Sequence, residues 1–333
     1  MKTRSLLLHR LSLFTLALVF MAAPESASGQ GRWQMIDTAE DPLHRHERAY
    51  VKAGNRFYAI GGRGERPGEI FDPATGTGTK GAAAPLEMHH FQAVEFDGKI
   101  YVLGALTGGW PREQPIPNVY IYDPATDVWT KGPEIPADRR RGAAGVVVHD
   151  GLIYVVAGIQ NGHTDGHVAW LDAFNPRTGE WKRLADAPRP RDHFQAGVID
   201  GKIYAAGGRL SSAEPGKGFT QTTPEVDVYD IASGTWSTLP PSANIPTPRA
   251  GSTTIVYDGK LVVLGGESGS QEPEHAEVEV FDPATGRWQA WQPMNQGRHG
   301  TQAIVHDGRI YVVAGSKMRG ADEINTHEVY SPR

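Results

Sequence analysis

Cysteine is absent from this 333-residue chain. That excludes disulfide staples and thiolate metal sites, and it leaves no thiol for lipid attachment. Positive charge is not in surplus either: 33 Lys and Arg stand against 38 Asp and Glu, a net charge of -5. A phosphate backbone is therefore not the expected partner, and no nucleic acid is expected to bind. The apolar run from Leu11 to Ala23 is shorter than the roughly 20 residues that span a bilayer, so the protein is not expected to be membrane-spanning. Lys2, Arg4 and Arg10 precede or flank that run, and the small, polar stretch Pro24 to Gly29 follows it. This is the layout of a secretory signal peptide. Residues 1–29 are expected to be a leader cleaved between Ala27 and Gly29, and residues 30–333 an exported domain, periplasmic or extracellular.

Glycine (40) and proline (24) are plentiful, and they punctuate a repeat. Asp97-Gly98, Asp150-Gly151, Asp200-Gly201, Asp258-Gly259 and Asp307-Gly308 each sit between apolar segments, and Gly54-Asn55 takes the same place in a sixth copy. Such dipeptides make tight hairpins because both central residues accept positive φ. Seven residues after each turn comes a pair of small residues: Gly61-Gly62, Gly104-Ala105, Ala157-Gly158, Gly207-Gly208, Gly265-Gly266 and Ala314-Gly315. A second phrase runs from an aromatic residue through an Asp-Pro-type turn to Trp: Tyr122 to Trp129, Phe174 to Trp181, Tyr229 to Trp236 and Phe281 to Trp288. Two hairpins per copy give four strands, with a period of roughly 50 residues that suits a radially packed blade. The last copy ends at Tyr330 before its Trp strand, while Trp33 near the start has no copy of its own. The N-terminal strand is expected to complete the sixth blade and close the ring.

On these small-residue pairs, aromatic residues and tryptophans, the sequence resembles the Kelch-repeat proteins across essentially the whole of residues 30–333. The resemblance implies an all-β, six-bladed Kelch-type β-propeller of four-stranded blades. It also implies an interaction platform, since members of the family mostly bind partners; a fold alone does not fix the function. The first copy departs from the pattern, with Gly78 where Trp is expected.

The turns of one face are short, while the other face carries the inter-blade loops and the inserts beginning at Leu106, Ile159, Arg209, Glu267 and Lys317. Binding is expected on the looped face, around the central channel. Nine residues before each hairpin turn stand Arg45, Met88, Arg141, Arg191, Arg249 and Arg298. Either these arginines bridge blades, or their guanidiniums converge at the channel mouth and hold an anion. The next two positions carry His46, Glu47, His89, His90, His193 and His299, and Trp110 and Trp170 lie in the loops. The tryptophans could stack on a sugar or simply pack. Gln92, Gln195 and Gln302, in alternate blades, could line the channel or satisfy buried backbone. His163, Asp165 and His167 share one loop and form a weak candidate for a divalent metal. No cofactor is otherwise implied.

The leading expectation is a monomeric, non-enzymatic binding module for a glycan, an acidic small molecule or a protein. The alternative is an isomerase of the mutarotase or epimerase type acting on a sugar or sugar acid at the same mouth. The chain is similar in size, export and fold to periplasmic Kelch-type sialic acid mutarotases. For such a reaction Glu47, His90 or His193 would move the proton and Arg191 or Arg249 would clamp the carboxylate. The galactose oxidase propellers are also similar in fold, but the cofactor implied by that likeness needs a cysteine.

Overall fold

The computed structural model describes residues 31–333, so the leader and its cleavage site lie outside the described residues. Six four-stranded antiparallel sheets surround one axis. The first blade is built from Arg48–Ala53, Arg56–Gly61, Gly68–Asp72 and Thr77–Gly81. Its first turn is Gly54-Asn55, and the five Asp-Gly turns open the other blades with both residues at positive φ. The first strands of neighbouring blades touch around the ring and are therefore innermost. Closure follows the expected scheme: Arg32–Met35 pairs with Glu323–Ser331, placing Trp33 opposite Tyr330 as the fourth strand of the last blade. Among the described residues no helix is long and apolar enough to cross a membrane.

The tryptophans stitch blades together. Trp33, Trp129, Trp181, Trp236 and Trp288 each pack on the aromatic residue of the adjacent strand, with ring centroids 4.8–5.5 Å apart. Four of them donate an indole N–H across to a carbonyl outside their own strand pair: Trp33 to Gln292, Trp129 to Ala82, Trp236 to Ala185 and Trp288 to Ala243. In the first blade Gly78 lies opposite Phe71, and a cavity of about 70 Å³ opens beside them.

Two further rings tie the blades around the axis. At the loop-face end of the innermost strands, Glu47, His90, Ala143, His193, Gly251 and Gly300 all take positive φ. Each carbonyl accepts from the next blade: His90 N–H bonds Glu47, Ala143 bonds His90, His193 bonds Ala143, Gly251 bonds His193 and Gly300 bonds Gly251. Arg48 N–H on Gly300 completes the circle. Deeper in the channel, Gln92 donates to the carbonyl of Ala196, Gln195 to that of Thr301 and Gln302 to that of Ala93, at 2.9–3.0 Å. Their amide oxygens accept from Val146, Ala196, Thr254 and Ala93 N–H groups. Three side chains from alternate blades thus form a pinwheel that satisfies buried backbone and floors the channel.

The arginines belong to the blades and not to the mouth. Arg45, Arg141, Arg191, Arg249 and Arg298 are each no more than 2% exposed. Each donates to carbonyls of its own blade, as Arg141 does to Ala157 and Val155 and Arg191 to Ala205 and Gly207. Each also meets a carboxylate on the third strand: Glu69, Asp172, Asp227, Glu279 and Glu328 respectively. The ring of anion-clamping guanidiniums allowed by the sequence is corrected here, Arg191 and Arg249 included, because these donors are turned into the sheets.

The second blade explains why the small pair exists. Its first position is Met88, and Tyr120, paired with Val102, holds the register that carries a carboxylate elsewhere. In the same blade the second small residue is Ala105, without the positive φ of Gly62, Gly158, Gly208, Gly266 and Gly315. A Cβ on Gly62 or Gly158 would come within 2.6–2.7 Å of the arginine Cγ. The second glycine makes room for the buried arginine, and the blade without the arginine lacks the glycine.

Candidate functional site

On the loop face, above the backbone ring, lies a chamber of about 870 Å³. Its wall includes His46, Glu47, His90, His163 and His299 from the inner strands and loops, and Trp110 and Phe219 from the inserts. Below it, His90 and His193 continue into a narrow pit of about 30 Å³ bordered by Ala143, Gly251 and Gly300. Around the ring the positive-φ positions are held in turn by Glu47, His90, Ala143, His193, Gly251 and Gly300, so two adjacent blades carry only glycine while Ala143 separates the two histidines. The mouth is therefore chemically uneven around its rim.

Two buried clusters stand in this wall. In the first, the imidazoles of His90, His163 and His193 form a near-equilateral triangle with centroids 4.7–4.9 Å apart. One nitrogen from each lies within 4.8 Å of the others. His163 Nδ1 contacts Glu113 Oε2 at 3.0 Å, and His193 Nδ1 contacts Asp192 Oδ1 at 2.5 Å. Burial disfavours charge on Glu113, but His163 and Arg63 outweigh it and hold the carboxyl down to about 2. Asp192, also buried, is likewise held at about 2 by His193, Arg209 and the Ser211 hydroxyl. Burial, reinforced by Arg209, lowers His193 to about 4.

In the second cluster, His299 Nδ1 is 3.1 Å from Glu274 Oε1, while its Nε2 is 3.3 Å from Glu47 and 3.8 Å from Glu267. Burial works against a charged His299, yet the three carboxylates prevail and raise it well above its ordinary value. Burial pushes Glu274 up to about 7, against the pull of His299. Glu267 is held at about 2, because His299 and Arg209 overcome its burial. Glu47 touches both clusters, lying 3.4 Å from His90 Nε2. The arrangement can hold charge and exchange protons within hydrogen-bond reach.

The remaining sequence candidates divide between wall and packing. His46 lines the chamber and is fixed by Glu323 at 2.8 Å. His89 lies behind His90, with their Nδ1 atoms 2.6 Å apart and its Nε2 on the carbonyl of Gly108. Trp110 is 64% exposed at the rim. Trp170 instead packs beneath Arg139, 4.3 Å from its ring centre, and is not part of the chamber wall. The His163, Asp165 and His167 set does not assemble. Asp165 bonds Asn161 and His167 bonds the carbonyl of Ser211, because the strand pairing of Asp165–Phe174 draws them away from His163.

Glu113, Arg209, Glu267 and Glu274 escaped the sequence reading. Arg63, Arg209 and Glu267 each directly follow a small pair, where other blades carry Leu106, Ile159 or Ser316. Charge in that otherwise neutral column was the available signal. Glu113 and Glu274 sit in inserts that differ from blade to blade, so no repeat register could single them out.

Fold, repeat and site together define a six-bladed Kelch-type propeller, a class of interaction and binding modules. The chain belongs to the Kelch-repeat family: the KLHDC2/KLHL20/DRC7 Kelch-repeats domain matches residues 90–315. It is 29% identical over 330 residues to the Kelch-like protein terF of Aspergillus terreus, covering 91% of this chain and 68% of that protein. It is 26% identical over 304 residues to Kelch-like protein 23 of Homo sapiens, spanning 90% of this chain and half the length of that relative. Among solved structures, that of YjhT superposes with a TM-score of 0.73 at 17% identity, covering 87% of this chain and 95% of that one. At that identity the likeness concerns the fold.

Proposed function

We propose that this propeller is a binding module for a small polar molecule, of the size of a sugar or sugar acid, held in the loop-face chamber. The observation that carries the reading is the chamber itself. Its volume of about 870 Å³ falls within the range of small-molecule sites, and apolar surface from Trp110 and Phe219 stands beside buried charge. With the five blade arginines turned into their sheets, the partly exposed cations of the chamber wall are Arg63 and Arg319, each about a quarter exposed and paired with Glu113 and Glu272 respectively. Export to the periplasm or outside is part of this reading and rests on the leader sequence. Calorimetric titration with neutral sugars and with sugar acids tests it. Trp110→Ala, at an exposed position, should weaken binding about tenfold without lowering the melting temperature. Absence of binding by both classes, or unchanged affinity in the variant, would refute it.

A second reading, isomerisation of such a ligand by proton transfer, is favoured by one observation. Glu274, titrating near 7, meets His299, which in turn meets Glu47 in the chamber wall. Groups that titrate near the working pH suit general acid and base chemistry. An anomer-exchange assay on any sugar acid that binds separates the two readings: acceleration abolished by Glu47→Gln supports isomerisation, and exchange at the uncatalysed rate leaves a binding module.

A further inference from the structure

We infer that His90, His163 and His193 form a three-histidine site for a divalent first-row transition metal. The inference is independent of the small-molecule reading, since the ion can bind whether or not a sugar does.

The argument rests on where the ring protons must be. Glu113 Oε1 accepts from Arg63 Nη2 at 2.9 Å and Asp192 Oδ2 accepts from the Ser211 N–H at 3.1 Å, so both carboxyl groups act as hydrogen-bond acceptors. The Nδ1 atoms of His163 and His193, at 3.0 and 2.5 Å from these carboxylates, must therefore both carry hydrogen. His89 Nε2 lies 3.0 Å from the carbonyl of Gly108, which also only accepts, so His89 donates there and its Nδ1 is bare. The bare Nδ1 of His89 then accepts from Nδ1 of His90, 2.6 Å away. Three separate second-layer groups thus fix the same tautomer in three imidazoles, and each ring is left with an unprotonated Nε2.

Two of these lone pairs face one another: His163 Nε2 and His193 Nε2 are 3.0 Å apart. Neither carries hydrogen to bridge the gap, so the contact is repulsive unless a cation sits beside it. Two nitrogens bound at about 2.0–2.1 Å by a tetrahedral ion lie roughly 3.3 Å apart, so the rings need open by only a few tenths of an ångström. Three neutral imidazoles suit zinc, copper, nickel or cobalt better than calcium or magnesium. Carboxylates behind the ligating rings are what orient a histidine for metal. Because His90 and His163 also line the chamber, the fourth coordination position would open towards it. Glu47, 3.4 Å from His90 Nε2, stands where it can accept a proton from a water bound there.

The test uses the mature chain stripped with chelator and dialysed. Zinc and cobalt are titrated separately, with bound metal counted by elemental analysis and the cobalt complex followed by its visible absorption. The expected result is one ion per chain, a tetrahedral cobalt spectrum and a rise in melting temperature. His163→Ala and His193→Ala should each weaken binding at least about 100-fold, and Glu113→Gln by about 10- to 100-fold. Asp165→Ala should bind as the parent does. Circular dichroism of the metal-free variants separates loss of ligation from loss of fold, and Glu113→Gln supplies a milder change should either alanine variant unfold. Fewer than one-half ion per chain would overturn the inference and leave the 3.0 Å contact as a proton shared between two imidazoles. Full binding in His163→Ala or its loss in Asp165→Ala would equally overturn it.

Discussion

Replacing Arg249 by Met should be severely destabilising, and a second change in the same blade should restore much of the loss. Arg249 is fully buried and donates to the carbonyls of Gly265 and Val263 and to Glu279, the carboxylate lying 2.5 Å away. Removing one partner of such a pair leaves a buried charge uncompensated, at a cost of about 3–5 kcal/mol. At roughly 2 °C per kcal/mol for a chain of this length, the melting temperature should fall by about 6–10 °C. The second blade shows an apolar solution to the same geometry, with Met88 and Tyr120 in the two positions. Arg249→Met with Glu279→Tyr should therefore recover at least about 2 kcal/mol relative to the sum of the single changes. The cycle is measured by urea and thermal unfolding of four proteins. Additive losses, or a single Arg249→Met that costs less than about 1 kcal/mol, would refute the view that each arginine serves its own blade as half of an ion pair.

Two other changes probe local strain and buried charge. Ala314 holds φ 52°, where four of the six blades have glycine, and left-handed alanine costs about 1–2 kcal/mol. Ala314→Gly should stabilise by about 0.5–1 kcal/mol after the extra freedom of glycine in the unfolded chain, and a loss of stability would count against strain at that turn. Glu274 holds its proton up to about pH 7 when folded against a usual value of 4.5, so the folded chain binds more protons between those values and loses stability as pH rises through them. His299, whose value is also raised, adds a loss of the same sign as pH rises above its ordinary range. Glu274→Gln should remove this loss and make the slope of stability against pH between 4.5 and 7 more positive than the parent's, a difference of about 1–3 kcal/mol; an unchanged slope in chemical denaturation would refute the assignment.

The blades were legible because their signals are local and repeated. Asp-Gly turns, small pairs and aromatic-to-Trp spacing recur at fixed steps, and even ring closure followed from one unmatched Trp33. The site was legible only in part. The positions of Glu47, His90 and His193 come from the same repeat register, so the sequence placed them on the right face. Whether a buried arginine points out to a ligand or back into its sheet depends on the room left by a glycine seventeen residues later, as at Arg141 and Gly158. The meeting of His163 with His90 and His193 depends on the course of an insert with no counterpart in other blades. Proximity in one loop suggested Asp165 and His167 instead, and strand pairing carried them away.

The glutamine pinwheel bears on how such a ring can change in size. Gln92, Gln195 and Gln302 alternate with Ala49, Gly145 and Thr253 at the equivalent position, and each reaches past one neighbour to the blade beyond. That alternation exists only on a ring with an even number of blades. Gain or loss of one repeat would set two glutamines or two small residues side by side, breaking the amide bonds or leaving a gap at the axis. Duplication within this lineage would therefore have to proceed by pairs of blades, and a designed seven-bladed version would need a new floor before it needed a new binding site.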